Sequence, residues 1–313
     1  MNRKILITGG TGFIGSRVIE NIIKNKDIPI LFKRSYSDTW RIKDFMDKLI
    51  YYDIDKIPLE EIFKKEDIDA IINLAAHYIK KHTYEDIENL IETNIKFPTK
   101  LLNLCENYNV KLFINAGSFF QYDKNCQLIN ENTSLISRNL YAATKTSLEK
   151  IMEYYASKRK FNVFNLILFT PYGEKDNDKK LIPYVIRQAI SNKTVDLTDG
   201  FQKLNLVYIE DIASAFINAL NAQLNDVSFF TRVNIADKHL HSIREIVTII
   251  SQLLDKNINV NYGALKIAEI DIDKILSVDI NFAEKILGWH PNYDIYNGLR
   301  KTVDYYLGEI NEY

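Results

Sequence analysis

Three side chains in the middle of the chain have the types and the spacing to move a proton at an alcohol or a ketone. Ser118 stands just beyond the apolar run Val110-Lys-Leu-Phe-Ile114, and Tyr141 and Lys145 are four residues apart in Asn139-Leu-Tyr-Ala-Ala-Thr-Lys145. On a helix that separation puts phenol and ammonium on one face. An ammonium close to a phenol favours the phenolate and lowers its pKa toward neutrality, which makes Tyr141 a proton donor or acceptor for an alcohol–ketone interconversion. A Tyr-x-x-x-Lys spacing arises often by chance, so its weight depends on where the fold places it.

The placing element is the first stretch, Lys4-Ile-Leu-Ile-Thr-Gly-Gly-Thr-Gly-Phe-Ile-Gly15. A short apolar run meets glycines at Gly9, Gly12 and Gly15, and an apolar-periodic segment through Val18, Ile19, Ile22 and Ile23 follows at once. Strand, tight turn and helix in that order are the context of a dinucleotide-binding fingerprint. One glycine makes the turn, one lets backbone approach a pyrophosphate, and one lets helix pack on strand. The helix N-terminus then offers free N–H groups and partial positive charge to the phosphates.

Further strands are expected at Ile28-Pro-Ile-Leu-Phe32, Leu49–Ile54, Ile68–Ala76, Val110–Ile114 and Phe161–Phe169. The nearly continuous apolar run Ile68–Ala76 suits a parallel sheet buried on both faces. Helical spacing runs from Tyr84 to Asn107, interrupted by Pro98, and again from Tyr141 to Ser157. Thr170-Pro-Tyr-Gly173 reads as a loop. Helices follow at Leu181–Ser191, Ile209–Leu220, Ile243–Leu254, Phe282–Leu287 and Ile295–Tyr306. The expected fold class is α/β, a doubly wound parallel sheet of the Rossmann type with a smaller α/β substrate lobe. Residues 1–170 would form the nucleotide domain, and 171–313 a lobe interleaved with it. Ser118, past the carboxyl end of a central strand, then lies on the rim where open α/β sheets bind ligands.

At the end of the second strand an NAD site usually carries an acidic residue for the ribose 2′-hydroxyl. Here the residues are Lys33-Arg34-Ser35, and Arg34 with Lys33 or Ser35 can hold a 2′-phosphate instead. Asp53 closes the third strand, placed to meet an adenine amino group. The expected cofactor is therefore NAD(P), with NADP slightly favoured by Arg34.

Composition narrows the partners. Of 313 residues, 46% are hydrophobic and 26% charged, and the formal net charge of -1 gives no electrostatic reason for nucleic acid or an anionic membrane surface. No apolar run has membrane-spanning length. Cys105 and Cys126 form no metal- or disulfide-type pair, so the expectation is a cytoplasmic protein without a metal. His77 reads as a packing or hydrogen-bonding residue.

Taken as an ordered set, Thr8-Gly-Gly-Thr-Gly-Phe-Ile-Gly15, Asp53-Ile54, Asn73-Leu-Ala-Ala76, Ser118, Tyr141-Ala-Ala-Thr-Lys145, Pro171-Tyr-Gly173, Val207-Tyr-Ile-Glu-Asp211 and Leu287-Gly-Trp-His-Pro291 resemble the extended short-chain dehydrogenase/reductases that modify nucleotide sugars. The resemblance covers nearly the whole chain. It implies Tyr141 as acid/base, Lys145 holding the nicotinamide ribose, and Ser118 bonding the reacting sugar oxygen. It also implies a cofactor site from Gly9, Gly12, Phe13, Ile14, Gly15, Arg34, Ser35, Asp53, Ile54, Leu74, Ala75, Ala76, Tyr141, Lys145 and Pro171.

Two departures from that family's pattern narrow the branch. Its 4,6-dehydratases carry a Thr-Asp-Glu-like triplet where this chain has Ser118-Phe-Phe120. Many members also carry an Arg-Asp pair where this chain has Leu204-Asn205, the Arg binding the nucleotide diphosphate. The segments Arg34-Ser-Tyr-Ser-Asp-Thr-Trp-Arg41 and Gly117-Ser-Phe-Phe-Gln121 look more like the C4 reductases that make CDP-3,6-dideoxyhexoses such as paratose and abequose. Arg34-Ser-Tyr-Ser37 is also similar to the NADP loop of GDP-mannose dehydratase. The substrate expected is a nucleotide-diphosphate sugar, CDP- or GDP-linked before UDP-linked, in a homodimer paired through the long helices. Oxidoreduction at C4 for surface polysaccharide assembly leads, a 4-epimerase comes second, and an NAD(P)-sensing module without turnover is the remote alternative.

Overall fold

The computed structural model describes residues 2–224, 228–268, 275 and 277–311. The N-terminal part runs β1 (Lys4–Thr8), α1 (Phe13–Lys24), β2 (Ile28–Lys33), β3 (Ile50–Asp53), α2 (Leu59–Lys65), β4 (Ala70–Asn73), α3 (Asp86–Ile91), α4 (Phe97–Asn107), β5 (Leu112–Ser118), β6 (Leu128–Ile129), α5 (Leu140–Ser157) and β7 (Asn162–Leu168). Then follow β8 (Thr170–Tyr172), α6 (Leu181–Ile190), β9 (Val195–Leu197), β10 (Lys203–Leu204), β11 (Leu206–Tyr208), α7 (Ile209–Asn221), β12 (Phe230–Ile235), β13 (His241–Ser242), α8 (Ile243–Leu254), β14 (Val260–Tyr262), β15 (Ser277–Val278), α9 (Asn281–Leu287) and α10 (Ile295–Asn311).

Seven strands form one sheet in the order β12-β7-β5-β4-β1-β2-β3, every neighbouring pair parallel. This is the doubly wound Rossmann-type sheet, and its order reverses beside β1, where such sheets open a ligand crevice. Alternate residues explain the two covered faces. Ile5 and Ile7 of β1 and Ile72 of β4 join the core on the side of α1 and α7, while Leu6, Ile71 and Phe113 join the core of α4 and α5. The sheet strands are near-continuous apolar runs because both faces are dry.

Three local expectations change. The strand expected to reach Ala76 stops at Asn73. Leu74 N–H still donates to Thr8 O at 3.2 Å, but the next N–H, of Ala75, turns to the Thr8 hydroxyl at 3.1 Å, which ends the ladder. Thr170–Tyr172, expected as a loop, is a strand paired in parallel with β11, and Pro171 sits inside it opposite Val207. The long helix through Pro98 stays continuous by widening. Glu92–Lys96 is a π-helical turn between α3 and α4, which places Pro98 in the first turn of α4, where its missing N–H costs no bond.

The C-terminal half interleaves with the sheet. β12 pairs with β7 along six residues, and α7 packs on α1. The later motifs meet each other. Asp211 of α7 accepts from the N–H groups of Asn292 and Tyr293, at 2.9 and 3.1 Å. The Trp289 indole donates to Asp211 O and Ser214 Oγ. Among the described residues, no helix is long and apolar enough to cross a membrane.

Candidate active site

The glycine loop has the shape a bound pyrophosphate needs. Gly9 has φ +67, and a Cβ there would stand 2.6 Å from Ala75 N and 2.7 Å from Leu74 C, so only glycine lets the two loops touch. A Cβ at Gly15 would stand 2.2 Å from Gly9 O, because helix and strand cross at this point. Gly12 caps α1 without a side chain to satisfy its first turn. The N–H groups of Phe13, Ile14 and Gly15 therefore face outward with the helix dipole behind them. A dinucleotide fits this cradle. Gly10, which the sequence pattern did not single out, is also closely packed: a Cβ there would meet the ends of the Ile19 and Leu31 side chains at 2.6 Å.

At the end of β2 the basic residues are already engaged. Arg34 Nε lies 2.5 Å from Asp55 Oδ1, its guanidinium covers the Tyr36 ring, and Ser35 Oγ donates to Asp53 Oδ2 at 2.6 Å. The Ser35 hydrogen bond pulls the Asp53 carboxyl below its ordinary pKa. Ile54 N–H is held by Lys33 O. Asp55, a partner for Arg34 across the β2–β3 edge, was not anticipated from the sequence.

Ser118 closes β5 at its carboxyl end, its hydroxyl accepts Phe120 N–H at 3.3 Å, and it stands near enough to the Tyr141 phenol to pull that phenol's pKa down. Asn139 caps α5 through Ala142 N–H at 2.9 Å, which fixes the start of the helix and hence the direction of Tyr141. Tyr78, from the loop after β4, meets the Tyr141 ring edge-on at 4.9 Å and 88°. Tyr78 is half exposed, so it forms the solvent-side wall of the site. Asn94, in the π-helical turn, brackets His77 through both backbone groups and donates to Thr144 Oγ1 of α5 at 3.0 Å. The loop carrying Leu74–Ala76 is thereby tied to the helix carrying Tyr141 and Lys145.

One electrostatic expectation is corrected. Lys145 Nζ lies 5.9 Å from the centre of the Tyr141 ring and donates to Ala116 O at 3.0 Å. Burial lowers the Lys145 pKa to about 8. The Tyr141 phenol is raised, not lowered, first by burial and then by Tyr78, with Ser118 pulling the other way. The four-residue spacing gives a shared face but not the depth of burial, and here desolvation outweighs an ammonium held on a carbonyl. Tyr141 is a proton-loaded phenol.

Beside Ser118, where an acid and a base would serve water elimination, stand two aromatic rings. Phe119 packs on Phe169 at 5.3 Å and on Phe120 at 4.6 Å, and the Arg138 guanidinium covers both Phe119 and Phe120. Asn205 is occupied by residue 237, donating to Asp237 O at 2.6 Å and accepting its N–H at 2.9 Å. Pro171 is held in β8. A cleft of about 710 Å³ opens elsewhere, between Arg17, Arg41, Lys301 and Tyr305, and shares only Phe13 with these residues. Among the described residues, no cluster of three His, Cys, Asp or Glu could hold a metal.

A doubly wound sheet with a glycine-rich first turn and Ser118, Tyr141 and Lys145 on its carboxyl rim is the arrangement of the short-chain dehydrogenase/reductase class. The chain belongs to the NAD dependent epimerase/dehydratase family, whose profile matches residues 5–236. It is 29% identical to the CDP-abequose synthase of Salmonella muenchen over 97% of this chain and 98% of that protein. It is 33% identical to the dTDP-D-glucose 4,6-dehydratase of Dictyostelium discoideum, over 68% of this chain and 54% of that protein. Its fold matches the UDP-glucuronic acid 4-epimerase of Bacillus cereus with a TM-score of 0.88 at 24% identity, over 98% and 99% of the two chains. It is an enzyme of this nucleotide-sugar family.

Proposed function

We propose that the protein is an NAD(P)-dependent oxidoreductase acting at C4 of a nucleotide-activated sugar, and that it reduces a CDP-linked 4-ketosugar for surface polysaccharide biosynthesis. The observation that carries this reading is the pair Phe119 and Phe120, rings with no acid or base to offer, beside an intact Ser118, Tyr141 and Lys145. Near full-length similarity to CDP-abequose synthase supports the CDP-linked substrate.

The first turn of α1, with Gly9, Gly12, Phe13, Ile14 and Gly15, would hold the pyrophosphate. Leu74, Ala75, Ala76 and Pro171 would line the cofactor, Asp53 with Ile54 would meet the adenine, and Lys145 would hold the nicotinamide ribose. The bound nicotinamide supplies the hydride. Ser118 hydrogen-bonds the sugar O4, and Tyr141 gives its proton to that oxygen. A phenol kept protonated by burial is the form that a reduction consumes. Incubation with reduced nicotinamide cofactor and a CDP-linked 4-keto-3,6-dideoxyhexose should oxidise one cofactor per sugar. Product without net change in reduced-cofactor absorbance would instead support a 4-epimerase, the reading suggested by the structural match to the Bacillus cereus epimerase. Cofactor binding without turnover on any nucleotide sugar would leave a sensing module.

The NADP preference rests on Arg34, which a 2′-phosphate gains only in competition with Asp55. A small preference for NADP(H) is expected. Asp55→Ala should enlarge it and Arg34→Ala should abolish it, as read by titration of both cofactors; equal changes in both affinities would remove Arg34 from the site.

Ile87 and Ile91 of α3 and Tyr154 of α5 are exposed, on two helices that pack against each other. We assign them to a homodimer interface, in a protein of the cytoplasm. Solution scattering at micromolar concentration should give twice the mass of one chain, and a monomer would remove this assignment.

A further inference from the structure

A polar ladder crosses the sheet in register. Thr8 is paired with Asn73, Asn73 with Asn115, Asn115 with Asn165 and Asn165 with Arg232. Five adjacent strands thus each place one polar side chain in a row where a doubly wound sheet ordinarily carries branched apolar ones. Thr8 Oγ1 donates to Asn73 Oδ1, Asn73 Nδ2 to Asn115 Oδ1, and Asn115 Nδ2 to Asn165 Oδ1, each at 2.8 Å. Asn165 Nδ2 then donates to Glu149 Oε2 at 2.5 Å. At the far end, Ala75 N–H donates to Thr8 Oγ1.

All donors point toward Glu149, a fully buried carboxylate of α5, because a carboxylate only accepts. Arg232 from the edge strand supplies the countercharge, with Nε 3.0 Å from Glu149 Oε1. A buried pair of this kind gains little net stability over apolar packing. What it does fix is the sense of every amide attached to it.

One attached amide leads to the chemistry. Gln121, itself fully buried, donates Nε2 to Glu149 Oε2 at 3.3 Å, which leaves its Oε1 to accept Ser118 N–H at 2.9 Å. The Ser-Phe-Phe-Gln run closes as a capping box around Phe119–Gln121. We propose that Gln121 and Glu149 are positioning residues that hold Ser118 in place for the reaction, a proposal that rests on the C4 chemistry above. Glu149 orients the Gln121 amide, and Gln121 anchors the Ser118 backbone, which sets the side of the strand end from which its hydroxyl faces Tyr141.

The test is a double-mutant cycle on the CDP-linked 4-keto-3,6-dideoxyhexose. Gln121→Met removes both hydrogen bonds while leaving the Glu149–Arg232 pair in place. It should lower kcat about 5- to 30-fold, the range of one to two net hydrogen bonds, with cofactor affinity within about twofold of wild type. Added to Ser118→Ala, it should cost less than a further twofold. Glu149→Gln combined with Arg232→Met, which removes the countercharge together with the carboxylate, should give the same pattern and serves where Gln121→Met does not fold. A crystal structure of the Gln121→Met protein should show the Ser118 hydroxyl turned from Tyr141. Wild-type kcat in both variants, multiplying effects in the cycle, or a Ser118 hydroxyl still facing Tyr141 would overturn the proposal. The C4 reading is judged separately by Tyr141→Phe, and the crystallographic result does not depend on it.

Discussion

Tyr141→Phe is expected to lower turnover by about a hundred- to ten-thousand-fold, the usual worth of a positioned acid/base, while cofactor affinity stays near wild type. The phenol carries the proton that must reach O4, with Ser118 beside it and Tyr78 across its ring. Ser118→Ala should cost less, because the proton route survives. Lys145 adds a pH dependence. Its ammonium, with a pKa lowered to about 8 by burial, is present below that pH and lost above it. Activity that relies on the charge should therefore fall as pH rises through about 8. Lys145→Arg, charged across the whole range, should lack that fall in a pH profile of kcat/KM. Near-full turnover in Tyr141→Phe would end the mechanism.

Gly15→Ala carries the second large effect. Its new Cβ would meet Gly9 O at 2.2 Å and Gly10 Cα at 2.6 Å, backbone atoms that cannot swing aside. Helix α1 must lift from β1, which costs about 1–3 kcal/mol as overpacking does. The lift also carries the N–H groups of Phe13 and Ile14 off the pyrophosphate. Loss of about 1.4 kcal/mol of cofactor binding is tenfold in affinity, and at least that is expected by titration. Gly308→Ala in α10 is the control. Nothing lies within 4 Å of its Cβ, so thermal melting should show a gain of about 0.5–1 kcal/mol, the helix preference of alanine over glycine. Equal behaviour of the two variants would contradict the close-approach reading of Gly15.

Six of the seven sheet strands were legible because a parallel sheet buried on both faces writes itself as short apolar runs ending at turns; β12 was not singled out, since polar Thr231, Arg232 and Asn234 interrupt its apolar run. The glycine loop was legible for a related reason: its requirement is steric and local. The trio proposed for catalysis, Ser118, Tyr141 and Lys145, was named from spacing and position alone. What spacing could not carry was depth. Tyr141 and Lys145 share a face, as four-residue separation demands, yet their pKa shifts are set first by burial, and the Lys145 ammonium is turned to Ala116 O on β5. Arg34 was visible as a cation but its partner Asp55 comes from the turn after β3. The strand Thr170–Tyr172 was hidden by Pro171 and Gly173, whose turn chemistry is genuine, and by a partner more than thirty residues away. Gln121 and Glu149 did leave signals. Ser-x-x-Gln is a capping-box spacing, and Glu149 repeats the helical period of Tyr141 and Lys145 on the inner face of α5. Neither signal says what lies opposite, which only the packed sheet supplies.

The most direct measurement follows the hydride itself. A reduced nicotinamide cofactor deuterated at its transferable position is mixed with enzyme and the CDP-linked 4-keto-3,6-dideoxyhexose, and the sugar product is read by NMR. The expected result is one deuterium at C4 for each cofactor oxidised. A product with no deuterium at C4, or one formed by loss of water across C5 and C6 with the cofactor unchanged, would contradict C4 reduction by Tyr141, Ser118 and Lys145.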